Sequence, residues 1–175
     1  MKIQWERLYR ILEKITPLHA DCGKLCGKKC CSVREGAGIY LFPGEEKNFS
    51  GDEQWCSLSE CAGGNDYYTG TGGFILNCRG KCPREKRPLA CRLFPLAPHL
   101  DGAGNLEIVM DSDALFICPL VTDGNINRLE ASFLEGARIV WAELFKNASI
   151  MEGVMAYSAR IDRQAREPWL RLLGK

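Results

Sequence analysis

Apolar residues recur at intervals of three and four positions near both ends of the chain, which is the pattern of amphipathic helices. Residues 1–16 carry one such stripe with charged residues on the other faces, and Pro17 is predicted to end that helix. A second helix is predicted over residues 125–147, and a shorter one over residues 150–163. The stripe of the second helix consists of Ile126, Leu129, Phe133, Ala137, Val140 and Leu144. We expect both C-terminal helices to pack on the N-terminal one.

Short apolar runs predict three strands, at residues 39–42, 74–76 and 106–110. Pro43 and Gly44 stop the first run, and a turn sequence at residues 101–105 precedes the third. The sequence therefore predicts a small antiparallel sheet.

Residues 43–73 are rich in Gly, Ser, Asn, Asp and Thr and show neither helical nor strand periodicity. A stretch of about thirty residues without regular structure is unusual inside a compact domain, so we expect something to hold it in place. Cys56 and Cys61 lie within it, and metal binding by their thiols is one explanation. A disordered or lid-like loop with two spare thiols is the other, so both cysteines are kept as reserve ligands.

The predicted fold class is α+β, with a small irregular cysteine-rich metal-binding core and a short antiparallel sheet between N-terminal and C-terminal helices. The length of 175 residues suits a single domain with a modest apolar core. Within it, residues 1–17 are expected to form the N-terminal helix, residues 18–120 the cysteine-rich core and residues 121–175 the C-terminal helical region.

Charge and hydropathy limit the classes of partner. The formal net charge is +1, so the chain as a whole is not attracted to nucleic acid or to anionic membranes. No apolar run approaches the roughly 18 residues that a membrane span needs, and the start of the chain lacks the pattern of a signal peptide. We therefore expect a cytoplasmic protein with no membrane partner, and nucleic acid is a disfavoured partner.

The chain contains ten cysteines, which is the dominant chemical feature of the sequence. Because the cytosol keeps thiols reduced, clustered cysteines there are more often metal ligands or catalysts than disulfides. The even count also permits a disulfide scaffold, which is the competing interpretation.

The first group of thiols spans residues 22–31 with the spacing Cys-x3-Cys-x3-Cys-Cys. Gly23 and Gly27 allow the backbone to wrap closely around a metal centre, and the interleaved lysines lower thiol pKa values and offset thiolate charge. A disulfide between the adjacent Cys30 and Cys31 is geometrically awkward, so metal ligation is preferred over a redox switch.

The second group of thiols consists of Cys78, Cys82, Cys91 and Cys118, and basic residues surround it as well. We prefer charge compensation over nucleic-acid binding as the role of these basic residues, because few aromatic residues are interleaved with them. The metal ligands predicted from both groups are Cys22, Cys26, Cys30, Cys31, Cys78, Cys82, Cys91 and Cys118.

All-sulfur ligation suits both iron–sulfur clusters and four-cysteine zinc sites. The spacing Cys78-x3-Cys82-Pro83 has the local form that ends a ferredoxin ligand run, and the Cys-x2-Cys pairs of zinc ribbons are lacking. The sequence therefore favours an iron–sulfur cluster, as 4Fe–4S, over zinc by a small margin. His19 and His99 could complete a zinc site, but structural roles are favoured because the cysteines suffice.

Three elements of the sequence match a known pattern: the group that ends in a cysteine pair (Cys22, Cys26, Cys30 and Cys31), the block Cys82-x4-Arg87-Pro88-x2-Cys91-Arg92-x-Phe94-Pro95, and Cys118 downstream. They resemble the motifs of the YkgJ-type cysteine-cluster proteins, a family described as carrying a zinc- or iron-chelating domain. The resemblance covers residues 18 to about 120, and the loop with Cys56 and Cys61 looks like an insertion.

The resemblance implies metal binding, and it adds one enzymatic alternative because relatives include proteins linked to methylation of flagellin lysines. The first hypothesis is thus a non-catalytic protein with one or two cysteine-ligated centres that stores or senses metal ions or presents a surface to a protein partner. The second is an enzyme whose metal keeps an open position, for protein modification such as lysine methylation of a peptide substrate. The sequence identifies no catalytic residue for it.

Overall fold

The computed structural model describes residues 3–31, 38–50, 53–61, 73–79, 82–122 and 124–167. These residues form an α+β fold in which helices flank two short antiparallel sheets. The helices are α1 (Trp5–Ile11), α2 (Gly23–Cys26), α3 (Leu89–Leu93), α4 (Ala131–Leu144) and α5 (Ala148–Arg166). The strands are β1 (Gly38–Tyr40), β2 (Cys56–Cys61), β3 (Gly73–Cys78), β4 (Leu96–Leu100) and β5 (Leu106–Met110).

The first sheet has the strand order β1-β3-β2, and both strand pairs are antiparallel. Its register places Cys56 opposite Cys78 at one end of the β2–β3 pair and Cys61 opposite Gly73 at the other. Strand β2 corrects the prediction that residues 43–73 lack regular structure, although residues 62–72 lie outside the described ranges. Its serine-rich sequence is ordered by pairing with β3, because tertiary pairing overrides weak strand propensity.

The second sheet pairs β4 with β5, with Leu96 opposite Met110 and Leu100 opposite Leu106. Asp101 shapes the turn between them, since its Oδ1 accepts the backbone N–H groups of Ala103 and Asn105 at 2.8 Å each. Strand β5 was predicted, whereas β4 was not. The sequence of β4 contains Pro98, which disfavours a strand interior but is tolerated where a strand has a free edge.

Helix α1 packs directly against α4, as predicted. A side-chain carbon added at Gly136 of α4 would lie 3.3 Å from carbon atoms of both Leu12 and Ile15, so the absence of a side chain permits this close approach. Helix α5 covers β4, and the Ser158 hydroxyl accepts the backbone N–H of Leu100 at 2.9 Å. The main core thus lies between the second sheet and helices α1, α4 and α5.

The helix boundaries differ from the prediction in three respects. Helix α1 ends at Ile11, well before Pro17. Helix α4 begins at Ala131 because residues 126–128 form a separate 3-10 turn. Helix α5 has 19 residues against 14 in α4, so the prediction that it is the shorter of the two was wrong. The described residues contain no helix that combines the length and apolarity needed to cross a membrane.

Candidate thiol site

Five of the eight predicted ligands line one cavity of about 60 Å³. They come from the turns around α2, from α3 and from the segment after β5, so residues distant in sequence meet at one place. We call them the cavity thiols: Cys22, Cys26, Cys30, Cys91 and Cys118.

The chain reverses direction within the first thiol group. Helix α2 ends at Gly27, whose φ of +62° is a left-handed conformation that glycine adopts without strain. Lys28 follows with φ of 59°, which costs a non-glycine residue roughly 1 kcal/mol. A side-chain carbon at Gly23 would lie 2.7 Å from Cγ of Lys28, so the returning chain packs on the start of the helix. The two glycines therefore permit the tight turn of the backbone through the first thiol group.

The adjacent cysteines at the end of this turn interact with each other. Their sulfur atoms, Sγ of Cys30 and Sγ of Cys31, are 3.9 Å apart. Hydrogen bonding with Cys30 lowers the pKa of Cys31 to about 6 against the effect of burial, and the charges of Arg87 and Lys28 contribute to the lowering. The same hydrogen bond raises the pKa of Cys30. The pair thus favours a Cys30 thiol that donates to a Cys31 thiolate.

Cys31 is one of the three predicted ligands that do not line the cavity. The other two, Cys78 and Cys82, lie at the end of β3 and just beyond it, where both pack against the apolar cluster of Trp55 and Leu76. Burial raises the pKa of Cys82 to about 12, and the neighbouring Cys78 contributes, against the charge of Arg87. Burial likewise raises the pKa of Cys78, with Cys31 as the next cause. We call these three the sheet-end thiols: Cys31, Cys78 and Cys82.

Cys91 on α3 connects the two sets of thiols. It lines the cavity, yet the charges that raise its pKa after burial itself are those of Cys78, Cys82 and Cys31, followed by Glu45. At the other side of the cavity, burial raises the pKa of Cys22, and Cys118 is the next cause. The thiols thus form two neighbourhoods that meet at Cys91 and at the Cys30-Cys31 pair.

All ten cysteines are free thiols, so no disulfide scaffold is present. In the described ranges, no group of three or more His, Cys, Asp or Glu side chains is arranged at distances that could hold a metal ion. The all-sulfur donor set matches a soft metal in chemistry, but its sulfur atoms are gathered around a cavity rather than placed at coordination distance.

The two reserve ligands, Cys56 and Cys61, lie at different distances from the sheet-end thiols. Cys56 is fully buried opposite Cys78, so it lies beside the sheet-end thiols. Cys61 is five positions along the same strand, which corresponds to about 17 Å, and it borders a different cavity. Strand β2 was not predicted, and without its register the sequence could not have distinguished the two.

Neither histidine lines the cavity of the five cavity thiols. Nε2 of His99 lies 2.9 Å from Oδ1 of Asp162 on α5, which is the structural role that the sequence favoured. The side chain of His19 is 98% exposed, and its Nδ1 lies 3.9 Å from a carboxylate oxygen of Glu130.

A buried carboxylate that the sequence did not single out holds the site in place. Glu45 has no exposed surface, and its Oε1 accepts the Tyr9 hydroxyl at 2.6 Å and the backbone N–H of Leu89 at 2.8 Å. Its Oε2 accepts the backbone N–H of Phe42 at 2.9 Å. Burial raises the pKa of Glu45, and these hydrogen bonds oppose the shift. The N-terminus of α3, and therefore Cys91, is fixed by this residue.

Arg92 has a structural position next to Cys91. Its guanidinium donates to the carbonyl oxygens of Glu85 at 2.6 Å, Arg87 at 2.8 Å and Tyr9 at 3.3 Å, and it lies 4.6 Å from the centre of the Tyr9 ring. These contacts tie the segment before α3 to α1.

No protein-family model, curated protein or solved structure matches this chain. The resemblance to the YkgJ-type proteins therefore stays a prediction from the motifs.

Proposed function

We propose that this protein binds metal through its cysteines, in one or two thiolate-ligated centres, with an iron–sulfur cluster favoured over zinc by a small margin. The observation that carries the proposal is the convergence of the five cavity thiols from three separate parts of the chain. Ordinary core cysteines are scattered among apolar neighbours and need no such convergence.

Charge compensation supports this proposal. A four-thiolate centre is anionic, and nearby cations stabilise it. Lys28 and Arg87 lower the pKa of Cys31, and Arg84 acts in the same direction on Cys22. The basic residues that interleave with the cysteines in sequence are therefore close enough in space to act on the thiols.

Metal binding requires the sulfur atoms to approach one another further, and the first thiol group is built to allow this. Between Leu18 and Cys31 only Gly23 is buried, so this segment has almost no apolar core of its own. In contrast, Cys118 is buried against Ala114 and Val121. A metal would therefore draw the first thiol group toward cysteines that the fold already holds, and metal binding would add folding free energy.

The two neighbourhoods of thiols favour two centres over one. The cavity thiols Cys22, Cys26, Cys30 and Cys118 would supply one centre, and the sheet-end thiols together with Cys91 would supply the other. This division assigns the adjacent Cys30 and Cys31 to different centres. Each set then has four sulfur ligands, which is the number that a closed zinc site or a 4Fe–4S cluster takes.

Anaerobic purification followed by analysis of iron, sulfide and zinc tests the proposal. We expect bound metal and, for the favoured iron–sulfur cluster, a brown protein with acid-labile sulfide in proportion to iron. A colourless protein with about one or two zinc ions would reverse the preferred metal. Absence of stoichiometric metal from protein kept anaerobic throughout, together with ten titratable free thiols, would contradict metal binding. A cytoplasmic location is proposed with it, because thiols remain reduced there.

A further inference from the structure

A second cleft lies beside the cavity thiols and shares two arginines with them. Its volume is about 460 Å³, within the range of small-molecule sites. The cleft is lined by Lys14, Thr16, His19, Ala20, Asp21, Lys28, Cys82, Arg84 and Arg87. It thus contains four permanent cations against one carboxylate, although the chain as a whole is nearly neutral.

Carboxylates of the described residues form no ion pair with the four cations of the cleft, although Arg87 also acts on the thiols of Cys31 and Cys82. In the part of the chain that the structure describes, the ion pairs involve other residues, and none includes Lys14, Lys28, Arg84 or Arg87. The single carboxylate is already engaged, because Oδ1 of Asp21 accepts the backbone N–H of Gly23 at 3.1 Å. The lining therefore presents an excess of hydrogen-bond donors with positive charge.

Arg87 adds an independent observation. Its Nε atom is buried and has no hydrogen-bond partner among the described residues. A buried donor without a partner costs free energy, and such atoms are usually satisfied by protein, water or a ligand. Because Arg87 lines both the cleft and the cavity, an anion seated between Arg84 and Arg87 would lie next to this buried donor.

We propose that this cleft binds a small molecule through a phosphate group. Four cations around one open cleft suit a multiply charged oxyanion better than a single carboxylate, and guanidinium groups bind phosphate oxygens in pairs. The apolar part of the lining is small, so recognition rests on charge and hydrogen bonds rather than on stacking. The four cations are present whether or not the thiols hold an ion, and an anionic metal–thiolate centre would offset part of their charge.

Titration of the full chain with pyrophosphate at low salt, followed by calorimetry, tests the proposal. We expect saturable binding of pyrophosphate that weakens as salt rises, with no saturable binding of acetate. Arg84→Gln removes one exposed cation and should weaken binding about tenfold or more, because a charge-assisted hydrogen bond is lost. Arg138→Gln is the matched control, since Arg138 pairs with Glu135 on α4 outside the cleft, and it should leave the affinity unchanged.

Three results would overturn the proposal. The first is the absence of saturable pyrophosphate binding. The second is an Arg84→Gln variant that keeps full pyrophosphate affinity while its metal content falls, which would assign the cations to the thiolates alone. The third is tighter binding of a single-stranded oligonucleotide than of pyrophosphate, abolished by the same substitution, which would indicate an extended nucleic-acid surface. Circular dichroism of each variant shows that the fold is retained.

Discussion

Tyr9 and Glu45 form a hydrogen bond of 2.6 Å that joins α1 to the segment leading out of the first sheet. Glu45 in turn holds the first residue of α3. The N-terminal helix and the helix that carries Cys91 are therefore fixed through one carboxylate, although 82 positions separate Tyr9 from Cys91 in the sequence.

Substitution of Tyr9 by Phe should lower the free energy of unfolding by about 1.5 kcal/mol, because the buried carboxylate loses a hydrogen-bond donor while the ring under Arg92 remains. Chemical denaturation measures the change. Tyr40→Phe is the matched control, since the Tyr40 hydroxyl has no hydrogen bond in the described part of the structure. Equal losses in the two variants would contradict the role assigned to Tyr9.

Substitution of Cys118 by Ser should reduce metal content, because Cys118 is a cavity thiol that the core holds in place. Elemental analysis of anaerobically purified protein gives the readout. Cys61→Ser is the control, because Cys61 lies at the far end of β2, and its metal content should match that of the unsubstituted chain. Equal metal loss in both variants would mean that the ligands are wrongly assigned.

Alkylation of the reduced, metal-free protein should depend on pH differently at different cysteines. The pKa of Cys31 is lowered to about 6, so its reactive thiolate should form as the pH rises through that value. The pKa of Cys82 is raised to about 12, so this thiol should resist alkylation at neutral pH. Peptide mapping by mass spectrometry after iodoacetamide treatment measures both rates.

The shift at Cys31 can be traced to its neighbour. Cys30→Ala removes the thiol that donates to Cys31, so the alkylation profile of Cys31 should move to higher pH. Cys26→Ala is the comparison variant and should leave the profile in place. A Cys31 profile centred near the ordinary thiol pKa of about 8.5 in the unsubstituted chain would contradict the assignment.

The Glu53–Lys86 ion pair should make stability fall in acid. Nζ of Lys86 lies 2.6 Å from Oε2 of Glu53, and this hydrogen bond lowers the pKa of the carboxyl. A lowered pKa means that the stabilisation is present above the ordinary Glu value of about 4.3 and is lost as the pH falls further. Glu53→Gln should therefore reduce the thermal midpoint at pH 7. In acid, the thermal midpoints of the variant and of the unsubstituted chain should converge. Glu60→Gln, at an exposed position of β2, should not reproduce this pattern.

Sequence periodicity predicted helices α4 and α5 and strands β1, β3 and β5, because each has an apolar stripe or run that is long enough to recognise. Strand β2 was missed because its sequence lacks an apolar run, and its order comes from pairing with β3. Strand β4 was missed because Pro98 contradicts the usual rule for strand interiors. Both errors arise where tertiary contacts override local preference.

The candidate site was predicted in its ligand types but not in its arrangement. Spacing identified eight cysteines, yet it gave no means of dividing them between two neighbourhoods or of ranking Cys56 above Cys61. Glu45 was missed for a different reason. It follows Pro43-Gly44, which indicates a surface turn, and its burial follows from partners in α1 and α3 that local sequence does not specify.

The left-handed step at Gly27 and Lys28 changes what the four-residue spacing of Cys22, Cys26 and Cys30 means. On an uninterrupted helix these sulfurs would form a row, with about 6 Å of rise between successive members, and a row cannot enclose anything. The reversal instead lets Cys22, Cys26 and Cys30 line the cavity that Cys118 also borders. A valine at position 27 would be strained at this positive φ, so the turn that gathers the sulfurs would be destabilised although every sulfur remained.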